Sequence, residues 1–183
     1  MNTTWLAVAL ASLALGLSAW AQTPERVLSG KDVTEAALIE ALTPGQEPIL
    51  TRGIGVERNV ERRPMRAKPA SASLLITFET NSAALTTQAK AALNVVGEAL
   101  GSEKLAPFRF SIQGHADPRG NPEANRKLSQ LRAESVRNYL VHNKNIDDPR
   151  LEAVGKGDTE LMNKENPVAP ENRRVTIVNL AQQ

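Results

Sequence analysis

The sequence predicts an α+β domain of order β-α-β-α-β-β, with helices packed on a mixed four-stranded sheet. Three observations predict it. Short runs of strand type alternate with two amphipathic stretches from residue 73 onward. Aromatic residues make up only 3% of the 183, so the core must be aliphatic. Residues 43–73 show no clear period, which sets the domain apart from what precedes it.

The elements follow in order. "WLAVALASLALGL" (5–17) is an uncharged apolar run, short for a membrane span. It precedes Ala19-Trp20-Ala21, an A-x-A cleavage pattern, so residues 1–21 read as an export signal and the rest of the chain as extracytoplasmic. Residues 22–72 form an N-terminal segment. "SGKDVTEAALIEAL" (29–42) suits a short helix with Ala36, Ala37, Ile39 and Leu42 apolar, stopped by "TPG". Beyond it Arg52, Arg58, Arg62, Arg63, Arg66 and Lys68 outnumber Glu57 and Glu61 in a Pro- and Gly-rich stretch, which reads as a flexible basic linker.

Residues 73–183 form the domain. "SLLITF" (73–78) is a strand, and "ALTTQAKAALNVVGEAL" (84–100) carries Leu85, Ala89, Ala92, Leu93, Val96 and Leu100 on one helical stripe. "FRFSIQG" (108–114) alternates as a half-buried strand. A turn and a helix over 122–142 follow, with Pro122 in its first turn. "RLEAVGKG" (150–157) and "RRVTIVNL" (173–180) are strands joined by a polar loop. The segments are too few and too short for a transmembrane barrel.

Composition excludes several functions. The chain has no cysteine, hence no disulfide, thiolate chemistry or lipid-modified N-terminal cysteine. Two histidines are too few for a histidine-rich metal site, and a net charge of +2 does not argue for nucleic acid. No cofactor is implied.

The residue that asks for an explanation is Arg132. At about 100° per residue, with Leu128 at zero, Leu131, Val136, Tyr139 and Leu140 fall within roughly 120° of it and Arg132 at about 40°. Asn125 and Ser129 share that edge. A guanidinium does not deprotonate in a protein, and burying one unpaired is costly. Arg132 therefore needs an anion. Either Asp117, in the turn before this helix, pairs with it and locks strand to helix, or Arg132 lines a pocket and takes a carboxylate from outside.

"IQGHADPRGNPEANRKLSQLRAESVRNYL" together with "ENRRVTIV" resembles the OmpA-like peptidoglycan-binding domain. The matching positions are Gly114, His115 and Asp117, then Asn125, Leu128, Ser129, Arg132 and Ala133, then 172–175; "FETNSAAL" (78–85) resembles the end of the family's first strand. The resemblance spans residues 73–180. It implies a non-enzymatic domain that holds the diaminopimelate of the peptidoglycan stem, Asp117 taking its ammonium and Arg132 its carboxylate. Asn125, Asn81 and Arg173 are implied as further contacts, Arg173 being preferred to Arg174 because the two straddle the strand start and face opposite ways. His115 reads as structural. Ala116 stands where the family usually has threonine, which removes a hydroxyl from the pocket edge. The implied setting is the periplasm of a Gram-negative bacterium, outer-membrane associated. The alternatives are an adaptor or membrane-to-wall tether that recruits another envelope protein through its N-terminal segment and, remotely, a cell-wall hydrolase using Asp117 and His115.

Overall fold

The computed structural model describes residues 27–45, 69–79 and 82–180. The expected signal, residues 46–68 of the basic linker, and Asn81 lie outside the described residues. Among the described residues, no helix is long and apolar enough to cross a membrane.

The elements are β1 (Val27–Leu28), α1 (Glu35–Leu42), β2 (Ser71–Leu74), α2 (Thr87–Gly101), β3 (Phe110–His115), α3 (Pro122–Lys144), β4 (Leu151–Gly157) and β5 (Val175–Asn179). From β2 onward this is the expected β-α-β-α-β-β order. The sheet has five strands in the order β1-β2-β5-β3-β4, so the expectation of four is corrected by β1, which pairs in parallel with β2. Two residues carry no periodicity, and only tertiary pairing reveals such a strand. β5 runs antiparallel to both of its neighbours, and β3 and β4 are parallel. The C-terminal ends of β2, β3 and β4 therefore open on the same side of the sheet as the start of β5.

Local chemistry sets the helices. Thr86 caps α2 by accepting from the Ala89 amide at 3.2 Å. Asn121 caps α3 by accepting from Glu123 and Ala124, with Pro122 in the first turn. Asn145 ends α3 in the left-handed conformation at φ 54°. The core is aliphatic as composition requires, with Leu74, Leu93, Val96, Leu100, Ile112, Val136, Leu140 and Ile177 buried around one aromatic, Phe110. Leu38 and Leu42 of α1 are fully buried in the same cluster, and the Asn179 side chain donates to the Leu42 carbonyl at 2.9 Å.

The face that α3 turns to the sheet differs from expectation. Its buried residues are Ser129, Ala133, Val136 and Leu140, while Leu131 is 44% exposed. The cause lies on the sheet. A Cβ at Gly155 would come within 2.6 Å of the Gln130 backbone nitrogen, and one at Gly114 would collide with the Ser129 carbonyl. Backbones this close admit only small residues between them, so the buried stripe is centred on Ser129 and Ala133 rather than on Leu128. Arg132 thereby moves to the rim of the buried face.

Side chains of α3 also reach the outer row of β4. Arg137 donates to the Leu151 carbonyl, and Gln130 donates to the Ala153 carbonyl and accepts from the Gly155 amide. The Ser129 hydroxyl accepts from the Gly157 amide at 2.9 Å.

Candidate ligand-binding cleft

The cleft lies at the strand ends described above. β3 closes with two hydrogen bonds, the His115 amide to the Arg174 carbonyl at 2.9 Å and the Ala116 amide to the Gly157 carbonyl at 2.8 Å. The next residue, Asp117, leaves the sheet between β4 and β5. From the other side, the turn before β5 supplies Arg173. The buried Asn172 fixes that turn: its side-chain oxygen accepts from Met162 and Asn163, and its amide donates to the carbonyls of Asn163, Asn166 and Pro167. Helix α3 supplies Arg132, and the chain after β2 supplies Phe78 and Ser82. A cleft of about 300 Å³ results, lined by Leu75, Ile76, Thr77, Phe78, His115, Arg132, Pro170, Arg173 and Arg174.

The Asp117 carboxylate is 7% exposed and fully engaged. Its Oδ1 accepts from the Arg119 amide at 3.2 Å and Arg119 Nε at 3.1 Å. Its Oδ2 accepts from Arg119 Nη2 and from Arg173 Nη1, each at 2.7 Å. Arg119 beside it, with help from Arg173 and against the cost of burial, holds its pKa at about 2.

Arg132 is arranged differently. It donates from Nε to the Ser82 carbonyl at 3.1 Å and lies 4.9 Å from the centre of the Phe78 ring. Among the described residues no carboxylate is in ion-pair reach of it, so the internal Asp117–Arg132 pair is not formed; Arg119 and Arg173 take that place. Burial lowers the affinity of Arg132 for its proton, the charge of Arg173 lowers it further, and Asp117 offsets this in part. The cleft thus contains a half-buried, under-compensated cation close to a second one.

The remaining candidates divide. Arg173 lines the cleft and bonds Asp117. Arg174 also lines it, though its guanidinium is directed to the Glu160 carbonyl at 3.3 Å, so both arginines border the cleft rather than one alone. Asn125 bonds the turn: its amide donates to the carbonyls of Asp117 at 3.2 Å and Arg119 at 3.0 Å. His115 is buried at the cleft floor. Arg119, Phe78 and Ser82 were not singled out from the sequence. The Asp-Pro-Arg spacing carried a signal for the first of them, since an aspartate readily accepts from the amide two residues on.

Among solved structures, the OmpA-like domain of FopA1 from Francisella tularensis has this architecture, with a TM-score of 0.51 at 20% identity over 58% of this chain and 69% of that one. The fold is thus that of an OmpA-like domain. The chain belongs to the OmpA family, whose model matches residues 77–174. It is 35% identical over 108 residues to the peptidoglycan-associated lipoprotein of Pseudomonas aeruginosa, covering 55% of this chain and 58% of that protein. It is 37% identical over 82 residues to outer membrane protein Omp38 of Acinetobacter baumannii, covering 45% of this chain and 22% of that protein. The chain therefore spans only part of the length of these relatives.

Proposed function

We propose that this domain anchors its protein to the cell wall in a Gram-negative periplasm, close to the outer membrane, by holding peptidoglycan non-covalently through the diaminopimelate of a stem peptide. The side-chain end of diaminopimelate carries an ammonium and a carboxylate on one carbon. A recognition site for it needs one cation and one anion side by side and no reactive group. Arg132, which lines the cleft with Phe78 and Arg173, offers its planar fork to the carboxylate, and Asp117, bonded to Arg173 behind that lining, offers its buried carboxylate to the ammonium. Asn125 acts by holding the Asp117 turn in place. Asn81 is proposed as a contact on the family resemblance alone.

The observation that carries the reading is Arg132, a half-buried guanidinium that faces a cleft without a carboxylate of its own among the described residues. Membership in the OmpA family and similarity to a peptidoglycan-associated lipoprotein support it. The adaptor reading draws no support from α1, because Leu38 and Leu42 are committed to the core.

Pull-down by purified sacculi tests the proposal. Arg132→Ala and Asp117→Asn should each abolish retention while circular dichroism reports a folded domain. A folded Arg132→Ala protein retained as well as the parent would overturn it.

A further inference from the structure

The Asp117 carboxylate offers about four lone-pair directions, and four donors occupy them in the structure. An incoming ammonium has nowhere to donate until one donor leaves. The donors are not equally held. The Arg119 backbone amide belongs to the turn, whose carbonyl at Arg119 is fixed by Asn125. Arg173 lines the cleft and also donates to the Val168 carbonyl at 3.3 Å. The Arg119 guanidinium is the loose one: its side chain is 64% exposed and, among the described residues, its only recorded partner is Asp117.

We infer that the Arg119 guanidinium is a built-in occupant of the ammonium position, which a ligand must displace to reach Asp117. The inference rests on the reading of Asp117 and Arg132 as the two ends of a zwitterion site.

The device has two consequences for specificity. In the empty site it keeps a buried carboxylate ionised and satisfied, so Asp117 is not left as a lone buried charge. In the encounter it penalises partial ligands. A simple amine must break the Arg119 fork and gains nothing at Arg132. A simple carboxylate can bind at Arg132 but leaves Arg119 in place. Only a ligand carrying both groups at the right separation offsets the displacement. Arg119 is thus a specificity-determining residue that makes no contact with the bound ligand.

Isothermal titration of the full chain with free meso-diaminopimelate tests this, comparing the parent protein, Arg119→Gln, Asp117→Asn and Arg132→Ala. Glutamine keeps the backbone amide that holds the turn and removes the charged fork. Arg119→Gln should bind meso-diaminopimelate about two- to fivefold tighter, the range set by one exposed charge pair. It should also bind a monoamine such as n-butylamine more tightly than the parent does. Unchanged or weaker meso-diaminopimelate binding by Arg119→Gln would overturn the inference: unchanged binding would make Arg119 a bystander, and weaker binding a ligand contact. These outcomes differ from failure of the underlying site, in which Asp117→Asn and Arg132→Ala would bind like the parent. A carbon-detected NMR titration adds a ligand-free readout. The Asp117 carboxyl should titrate at higher pH in Arg119→Gln than in the parent, and an unmoved titration would show that Arg119 does not occupy the carboxylate in solution.

Discussion

Two arginines, 18 residues apart, stand in similar surroundings and differ in one respect. Arg150, where the chain enters β4, is partly buried and lies 5.8 Å from the centre of the Phe110 ring. Arg132, on α3, is partly buried and lies 4.9 Å from that of Phe78. Burial lowers the proton affinity of both. Arg150, however, donates to three carbonyls, those of Phe108, Leu100 and Leu105, at 2.9–3.0 Å. It ties the end of α2 and the turn that follows to the start of β4. Among the described residues, Arg132 donates to one. Burial and a ring beneath the guanidinium therefore do not mark a site. The mark is donor capacity left unspent while facing a cleft.

The comparison breaks most sharply if the two arginines exchange consequences. Arg132→Ala should cost about 2–5 kcal/mol of ligand-binding free energy, the loss expected when a hydrogen-bonded charge pair loses one partner. Its unfolding free energy from urea denaturation should fall by less than about 2 kcal/mol, because the one charge-assisted hydrogen bond and the ring contact that are lost are offset by removal of a half-buried cation. Arg150→Ala should do the reverse, losing about 2–3 kcal/mol of stability from three carbonyls left without a donor, with sacculus retention unchanged in the folded protein. An Arg132→Ala protein that unfolds as early as Arg150→Ala would erase the distinction.

Acid sharpens it with a smaller effect. The Asp117 carboxyl titrates near 2 in the folded domain instead of the ordinary 3.8. A depressed carboxylate contributes stability that is complete above the unfolded value and is lost as pH falls through the folded one. Between about pH 4 and pH 2 the domain should lose about 1–2 kcal/mol through this group, the exposure of Arg119 keeping the figure low. Denaturation midpoints of the parent and Asp117→Asn should converge across that window. Curves that stay parallel would show that Asp117 is not held ionised by its arginines.

Much of this was legible in the sequence because the signals were local. Pro122 in the first turn of α3 and the apolar stripe of α2 fix their elements within a few residues of chain. Asp117, Arg132 and Arg173 were identified from three separate segments, and the fold brings all three to one end of the sheet. What was not legible depended on distant partners. The phase of α3 was misjudged because Gly114 and Gly155 choose it, and glycines on two strands leave no mark on a helical wheel. β1 was missed because two residues have no pattern. The segment before β5 read only as a polar loop, and its organisation by the buried Asn172, which makes five hydrogen bonds, was not legible. The Asp117–Arg132 pairing was a fair alternative until Arg119, two residues away, was seen to hold the carboxylate first.

The smallest expected effect concerns the outer row of β4. Gln130→Ala removes two hydrogen bonds to a strand edge that water can then reach, and should lower stability by about 1 kcal/mol without changing ligand affinity. The row has a meaning beyond stability. A sheet grows when a foreign strand finds free amides and carbonyls along its last member. The carbonyls of Leu151 and Ala153 and the amides of Gly155 and Gly157 already hold side chains of the molecule's own helix. Those side chains take part of the row, so a foreign strand meets fewer free groups there with which to extend the sheet.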